Sequence, residues 1–523
     1  MSGDAVRARP FDPAAAPGLR EQDFSRVCIN GFGDGHNSYP HSAAWFGKHL
    51  YIGTTRSNFQ MLKAQGTFNK LPLYRWPVEG PDDPAGLYRE LDRRAQIWRF
   101  DSPRGVWEEV FRAPMVAGAE DEPVARETGL RAMVVFQSVS DSAPALYTAT
   151  WAVSRAPGAL LLRSEDGINF EPITPYGIID GLPITATRVL AVFKDKLYTS
   201  PTAVRGHARK FVANVSGYPV LFASTDPREG WIEATEPGFG DSRNLGVFAL
   251  AEFNDQLYAG TFNNSGFELW RSRCEGKAPY KWFKVLEKGA YRGAENQTVM
   301  CMTAFRDALY IGTGIQNGGH DVTNRIGPAA FEILRVHPDD SWDLIVGTSR
   351  ETPFGKKVPL SCLQEGFGNP LNGYAWSIAV HDGWLYLGSM DSFVWCQYLK
   401  PEYYPSNVQK MMSRVGLDNF LSIHCGCDLW RSADGENWLP VTSVGFDTGY
   451  NLGFRNLVST PHGLFAAIAN PFGPRVATGE DGEWKYRDNP RGGLEVWQGT
   501  RDHAAVTPLE KIEYRSPWIQ TAD

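Results

Sequence analysis

The sequence predicts an all-β protein, a seven-bladed β-propeller with four-stranded blades, closed by an N-terminal strand and carrying long insertions on its top face. Three observations carry that expectation. First, an apolar strand, a tight turn and Leu-Tyr followed by small residues recur as FGKHLYIGT, APALYTAT, FKDKLYTS, FNDQLYAGT, FRDALYIGT, HDGWLYLGS and PHGLFAAIA, with leucines at 50, 146, 197, 257, 309, 385 and 464. Spacings of 96, 51, 60, 52, 76 and 79 residues describe a base period near 50 with insertions, the period of propeller blades. Second, each copy is followed by another strand pair, as in ELWRSRCEGKAPYKWFKV and DLWRSADGENWLPV. Third, abundant Gly (53), Trp (17), Tyr (20) and Phe (29) suit short strands and tight turns, while long helical periodicity is scarce.

Taken in order, the elements divide the chain into a tail (1–20), a closing outer strand (21–31), blades at 32–114, 115–178, 179–238, 239–289, 290–366, 367–445 and 446–500, and a C-terminal tail (501–523), all within one domain. The outer strands run from an aromatic residue to a glycine seven positions on, as in Phe170 to Gly177, Trp231 to Gly238, Trp282 to Gly289 and Trp438 to Gly445. Phe24 to Gly31 fits the same ruler with no inner strands before it, so it is expected to complete blade seven after LEVWQG. The rival for that place is VTPLEKIEY (506–514).

Composition narrows the partners. A formal charge of -7 with no block of five like charges excludes a phosphate-tracking surface, so no nucleic acid is expected. No apolar run reaches the ~18 residues that span a bilayer, so no membrane is expected, and the opening MSGDAVRARPFDPAAAPGLREQD has no apolar secretion segment. The expectation is a cytoplasmic protein, a monomer with at most a weak homodimer, and seven unpaired cysteines.

In this geometry the insertions fall in loops on one face: 55–95, 201–217, 314–329, 390–426 and 470–492. Long loops on a rigid scaffold are where sites sit, so the top over blades six, seven and one is the expected site. Aligning blades on the leucine exposes three rings of residues. Thirteen before it stand Asn37, Asn244, Asn296, Asn372 and Asn451, read as amides that bond the turn entering the inner strand. At the next ring sit His41, Arg131, Arg188, Phe248, Met300, Trp376 and Arg455, where three arginines and a histidine occupy an otherwise apolar position. Guanidinium groups converging on the axis favour an anion. Six after the leucine lie Arg56, Asn263, Asp391 and Asn470, and above the inner strands stand Tyr39 and Tyr374.

From these we expect a catalytic group of Asp391, Arg56, Tyr374, Tyr39 and His41, with Arg455, Arg131, Arg188, Trp376 and Asn470 binding a phenolic or anionic small molecule. An Asp near an Arg is expected to be ionised and to accept a proton. His424, Cys425 and Cys427, with Cys396, are candidates for a zinc clip, although C-x-C is not the common C-x2-C spacing; no cofactor is otherwise expected.

RSEDGINF (163–170) and RSADGENW (431–438) resemble the Asp-box turn, a structural marker. Asp boxes with three arginines resemble the sialidases, in which an arginine triad grips the substrate carboxylate; FRAP (111–114) differs from that family's F-R-I-P in following an outer strand. In architecture and site type the chain also resembles the cylindrocyclophane-type aromatic alkylating enzymes, in which an Asp activates a phenol while an Arg and a Tyr hold the departing halide. That resemblance implies Asp391 and Arg56 in those roles, with Tyr374 or Tyr39 as the phenol. The leading expectation is therefore an intracellular enzyme of small-molecule metabolism that alkylates a phenolic carbon. The alternatives are a sialidase-like glycosidase or polysaccharide lyase on an anionic sugar, and a non-catalytic interaction propeller.

Overall fold

The recurring motifs fold as the expected hairpins: the Leu-Tyr strand is buried along almost its whole length, and in most units the turn before it takes a positive φ, as at Gly47, Asn254, Arg306 and Asp382. The computed structural model describes residues 17–66, 71–179, 181–204, 218–321, 324–404, 406–480 and 482–518. The first strands of the repeats are Asn37–Phe46, Gly129–Phe136, Ile184–Phe193, Asn244–Phe253, Thr298–Phe305, Asn372–His381 and Gly453–Thr460, each paired antiparallel with the Leu-Tyr or Leu-Phe strand that follows. Third and fourth strands extend every unit by antiparallel pairing, down to two-residue fourth strands at Glu171–Pro172 and Ile232–Glu233.

The first strands pack against one another in chain order, and that of unit seven packs against that of unit one. Hydrogen bonding between neighbouring units is sparse. Single bridging pairs such as Gly314↔Tyr374 and Met390↔Gly453 join units into one 16-stranded and one 13-stranded sheet. Side chains do most of the joining, and glycine in the L-Y-x-G motif shows how. A Cβ on Gly388 would stand 2.2 Å from Phe454 Cβ of the next unit, and one on Gly260 would stand 2.4 Å from Val299 Cβ. The motif keeps glycine so that the next first strand can close in.

Unit seven draws its fourth strand from the other end of the chain. Phe24–Cys28 pairs antiparallel with Glu495–Gly499, in register Phe24↔Gly499 and Ser25↔Gln498. The indole of Trp107 in unit one donates to Val27 O at 2.8 Å and holds that strand from the other side. Within the segment 506–514, and one residue beyond, the chain takes a different place: Glu513–Arg515 lies parallel to Val106–Arg112 on the outside of unit one.

The turns RSEDGINF and RSADGENW close as their sequences imply. Asp434 Oδ1 accepts from the backbone N–H of Glu436 and Asn437 at 2.8 and 2.7 Å, and Asp166 Oδ1 accepts from Ile168 and Asn169 at 2.8 Å each.

The insertions do not stand apart as separate loops. Those of units one, six and seven share one apolar core, in which Phe59 and Val78 meet Phe393, Tyr398 and Phe420 and then Phe472 and Val476. Backbone bridges Leu73↔Leu399 and Val78↔Val476 tie them together. Tyr39 and Met390 pack both against this cap and against the apolar cluster of Phe248, Phe262, Met300 and Trp376. Among the described residues, no helix is long and apolar enough to cross a membrane.

Candidate functional site

Every first strand carries a β-bulge at the same position. The pairing slips between Pro40 and Ser42, Leu130 and Ala132, Thr187 and Val189, Val247 and Ala249, Val299 and Cys301, Ala375 and Ser377, and Phe454 and Asn456. The residue skipped in each case is His41, Arg131, Arg188, Phe248, Met300, Trp376 or Arg455. A bulge interrupts the strict alternation of a strand and re-aims a side chain. Here it brings one residue from every unit toward a common centre.

The cations of that centre lie close enough to disturb one another. The Arg455 guanidinium stands over Trp376 at 5.3 Å, that of Arg188 over Phe248 at 4.5 Å, and that of Arg131 over Trp151 at 5.7 Å. Arg131 also donates from Nη1 to Thr202 Oγ1 at 3.3 Å. Burial pushes Arg188 down to about 10, and burial with the repulsion of Arg188 pushes Arg455 down to about 9. Burial, and then Arg188 and Arg455, hold Arg131 well below the usual arginine range. Among the described residues, neither Arg188 nor Arg455 has a carboxylate partner. Both are largely enclosed where the first strands converge, yet keep some accessible surface.

His41 faces the same space. Its Nδ1 is 2.5 Å from Thr55 Oγ1, its ring lies edge-on to Trp151 at 6.1 Å, and Tyr39 stands 6.3 Å away. Burial, and then Arg131, Arg455 and Arg188, hold the imidazole well below its usual range, so it is neutral near pH 7. Tyr39 and Tyr374 flank Trp376 at 5.8 and 6.0 Å. Burial raises both phenols, which keeps them protonated, and Tyr374 Oη accepts from Gly318 N at 2.8 Å.

The ring six residues after the leucine does other work. Arg56 donates to Asn37 Oδ1 at 2.9 Å, Asn263 to Asn244 Oδ1 at 3.0 Å and Asn470 to Asn451 Oδ1 at 3.1 Å. Each asparagine of the first ring then donates from Nδ2 to the carbonyl of the positive-φ glycine ending the outer strand: Gly31, Gly238, Gly289, Gly366 and Gly445. The same amide donates to Gln96, Glu268, Glu332, Asp428 or Glu495, at or one residue before the start of the third strand. These networks lock the entry of each first strand. The third-strand partner is legible as an acid or amide two residues before Trp in Q-I-W, E-L-W, D-L-W and E-V-W, a recurrence the leucine alignment alone overlooks.

Three of the expected site residues are placed elsewhere by these contacts. Arg56 pairs with Asp34 at 2.8 Å and with the Asp92 carbonyl, so it is committed to the turn that enters unit one. Asp391 is fully buried, accepts from Phe393 N at 2.7 Å and Asn369 Nδ2 at 3.2 Å, and is pushed well above the carboxylate range by burial and then by Asp428. Burial and Asp428 thus favour its protonated form, where an ionised base was expected. Asn470, expected to bind an anion, spends its amide on Asn451 and the Arg491 carbonyl. The mouth over units six, seven and one is the apolar cap; the cations converge beneath it, at the bulges.

All seven cysteines are free thiols. Cys396 and Cys425 lie in the cap core and Cys427 in the core of units six and seven, while the side chain of His424 lies outside the described residues. Gln397 Nε2 and the Gly449 carbonyl are the neighbours of Cys425 Sγ, and burial raises its thiol. Among the described residues, no group of three or more His, Cys, Asp or Glu is placed to hold a metal ion.

What the fold and this centre define is a class: a repetitive all-β protein whose repeats each contribute one residue to a cationic, aromatic-walled interior. No protein-family model and no curated protein matches the sequence. Among solved structures, the chain is similar to the extracellular domain of a hybrid two-component system from B. thetaiotaomicron, at 11% identity and TM-score 0.42, over 92% of this chain and 40% of that one. It is also similar to the Hadza microbial sialidase Hz136, at 12% identity and TM-score 0.38 over 80% and 75% of the two chains. A third is a GH43 β-xylosidase/α-arabinofuranosidase from a compost microbial metagenome, at 13% identity and TM-score 0.33 over 62% and 98%.

Proposed function

We propose that the seven units are the blades of a β-propeller and that their common centre binds a sugar acid, catalysing elimination next to its carboxylate. The observation that carries this reading is the pair of guanidinium groups, Arg188 and Arg455, largely enclosed where the first strands converge and, among the described residues, without carboxylate partners. Buried cations of this kind are costly until an anion neutralises them. Trp376, Trp151 and the two tyrosines supply aromatic faces of the sort that pack on sugar rings.

The chemistry follows from what stands beside the cations. Neutralising a carboxylate makes the hydrogen on the adjoining carbon more acidic. His41, neutral and held through Nδ1 by Thr55, has Nε2 available to take that proton. The electron pair forms a carbon–carbon double bond, the C–O bond at the next carbon breaks, and the protonated phenol of Tyr39 gives its proton to the departing oxygen. The products are an unsaturated sugar acid and an alcohol. Hydrolysis by paired carboxylates is less well supported, because the carboxylate expected at this site, Asp391, is buried and accepts from Asn369 and Phe393 N. Alkylation loses the same support, since it needs an ionised Asp391 beside Arg56.

Oligosaccharides of galacturonate and glucuronate, followed by the ultraviolet absorbance of the conjugated product, test the reading. Wild-type protein is expected to generate that absorbance, and His41→Ala to slow it by about 10²–10⁴-fold. Arg455→Met should weaken substrate binding by about ten- to a hundredfold without lowering the melting temperature of the ligand-free protein, because it removes a repelling charge. Cleavage without the absorbance would favour the glycosidase alternative, and no binding of any uronate would sink both.

A further inference from the structure

A second cavity lies outside the central cluster, between the insertion of unit one and the start of unit two. It has a volume of about 380 Å³, within the ~300–1,000 Å³ of small-molecule sites. Its walls are largely apolar, built from Leu87 and Leu91 on one side and Val124, Ala125 and Val153 on the other. Behind those walls are two small apolar clusters, one around Met61 and Ala64 and one around Ala152 and Ala156, so the shape of the cavity is set by packed side chains.

Arg93 lines this cavity and is 6% exposed. Its Nη2 meets only the thioether of Met61, at 3.3 Å, and its Nε is buried with no hydrogen-bond partner. Thioether sulfur is a weak acceptor and satisfies a guanidinium poorly. Among the described residues, no carboxylate pairs with Arg93. The neighbouring charges are already matched to each other: Arg94 binds Asp92 through two bonds of 2.9 Å, which leaves Asp92 an anion that is already neutralised. Burial pushes Arg93 down to about 10, the direction expected of a cation without a counter-charge.

A cavity with largely apolar walls and one unmatched buried guanidinium fits one kind of occupant. We infer that this cavity is a second ligand site, which takes an amphipathic carboxylate with its charged end on Arg93 and its hydrocarbon body between Leu87, Leu91, Val124 and Val153. The site is independent of the centre, which draws on different residues and a different ligand. Occupancy neutralises Arg93 and buries apolar surface in one event, so both the charge and the chain of the ligand are required.

Titration calorimetry with octanoate tests this directly. Saturable binding to the wild-type protein is expected, with 1-octanol failing to compete because it lacks the charge. Arg93→Gln should weaken octanoate about tenfold or more, and Ala125→Leu, which fills the cavity while leaving the cation in place, should abolish binding in a protein that still melts cooperatively. Arg455→Met, at the centre, should leave octanoate binding unchanged. Absence of saturable binding, equal competition by octanol, or binding lost with Arg455→Met and kept by Arg93→Gln would each overturn the proposal. The comparison of octanoate with octanol needs no variant, so poor folding of Arg93→Gln does not protect it.

Discussion

Asp391 shows how far a residue's neighbours decide its chemistry. By sequence it shares a repeat position with Arg56, Asn263 and Asn470, each of which donates to the oxygen of a neighbouring asparagine. In unit six the corresponding Asn372 Oδ1 is buried and has no donor, and the group opposite it is Asp391. A protonated carboxyl is the form that suits that place, and burial beside Asp428 favours it. Asp391→Asn is therefore expected to retain turnover, whereas loss of a general base would cost about 10²–10⁴-fold. Asp428 supplies a pH signature. Burial pushes it from 3.8 up to about 6, so the folded state holds its proton more tightly than the unfolded chain does. Stability from this group is present in full below the unfolded value and is lost as pH rises through about 6, by about 3 kcal/mol. Urea unfolding of the wild type across that window should show the decline, and Asp428→Asn should lessen it, leaving the part that Asp391 contributes.

For the individual strand, close approach of the next unit is the governing constraint. The glycine of L-Y-x-G needs no positive φ at position 388, so its requirement is purely steric: Phe454 occupies the space a methyl group would take. Gly388→Ala should destabilise by about 1–3 kcal/mol through overpacking, read as a lower urea midpoint with an unchanged slope. The bulge is the complementary device on the first strand. It lets one residue leave the alternation and face the centre while the strand on either side keeps its pairing. A strand reading based on alternation sees His41 or Arg455 only as a polar residue at an apolar position; that anomaly was legible, and its cause was not.

In the molecule as a whole, the ends of the chain meet. Phe24–Cys28 is hydrogen-bonded to Glu495–Gly499 and clasped by Trp107, while Glu513–Arg515 covers the outside of unit one. Deleting residues 1–28 uncovers the long edge of unit seven, and open edges invite pairing with other chains. The truncated protein should elute as higher-order species in size-exclusion chromatography, and a synthetic peptide of residues 17–31 added in trans should restore the elution volume of the full-length protein. Retention of a single sharp peak without the peptide would mean that the N-terminal strand contributes little to holding the chain together.

The sequence by itself determined the repeats, the hairpin in each, the glycine-ended outer strands and the ring of asparagines, because each rests on contacts between residues close along the chain or on a motif written several times. It also exposed the three arginines and the histidine as misfits at an apolar position. Only the tertiary structure decided that these side chains converge, since convergence depends on bulges and on packing between units. Arg56 and Asn470 each bond the asparagine 19 residues earlier, a spacing the sequence carries, but that their side chains are spent there, and that Asp391 bonds Asn369 and Phe393, depends on what packs beside them. The cap of insertions and the unmatched Arg93 were illegible for the same reason. A loop read alone looks polar or apolar by composition, but whether its charge finds a partner is settled by what the rest of the chain brings beside it.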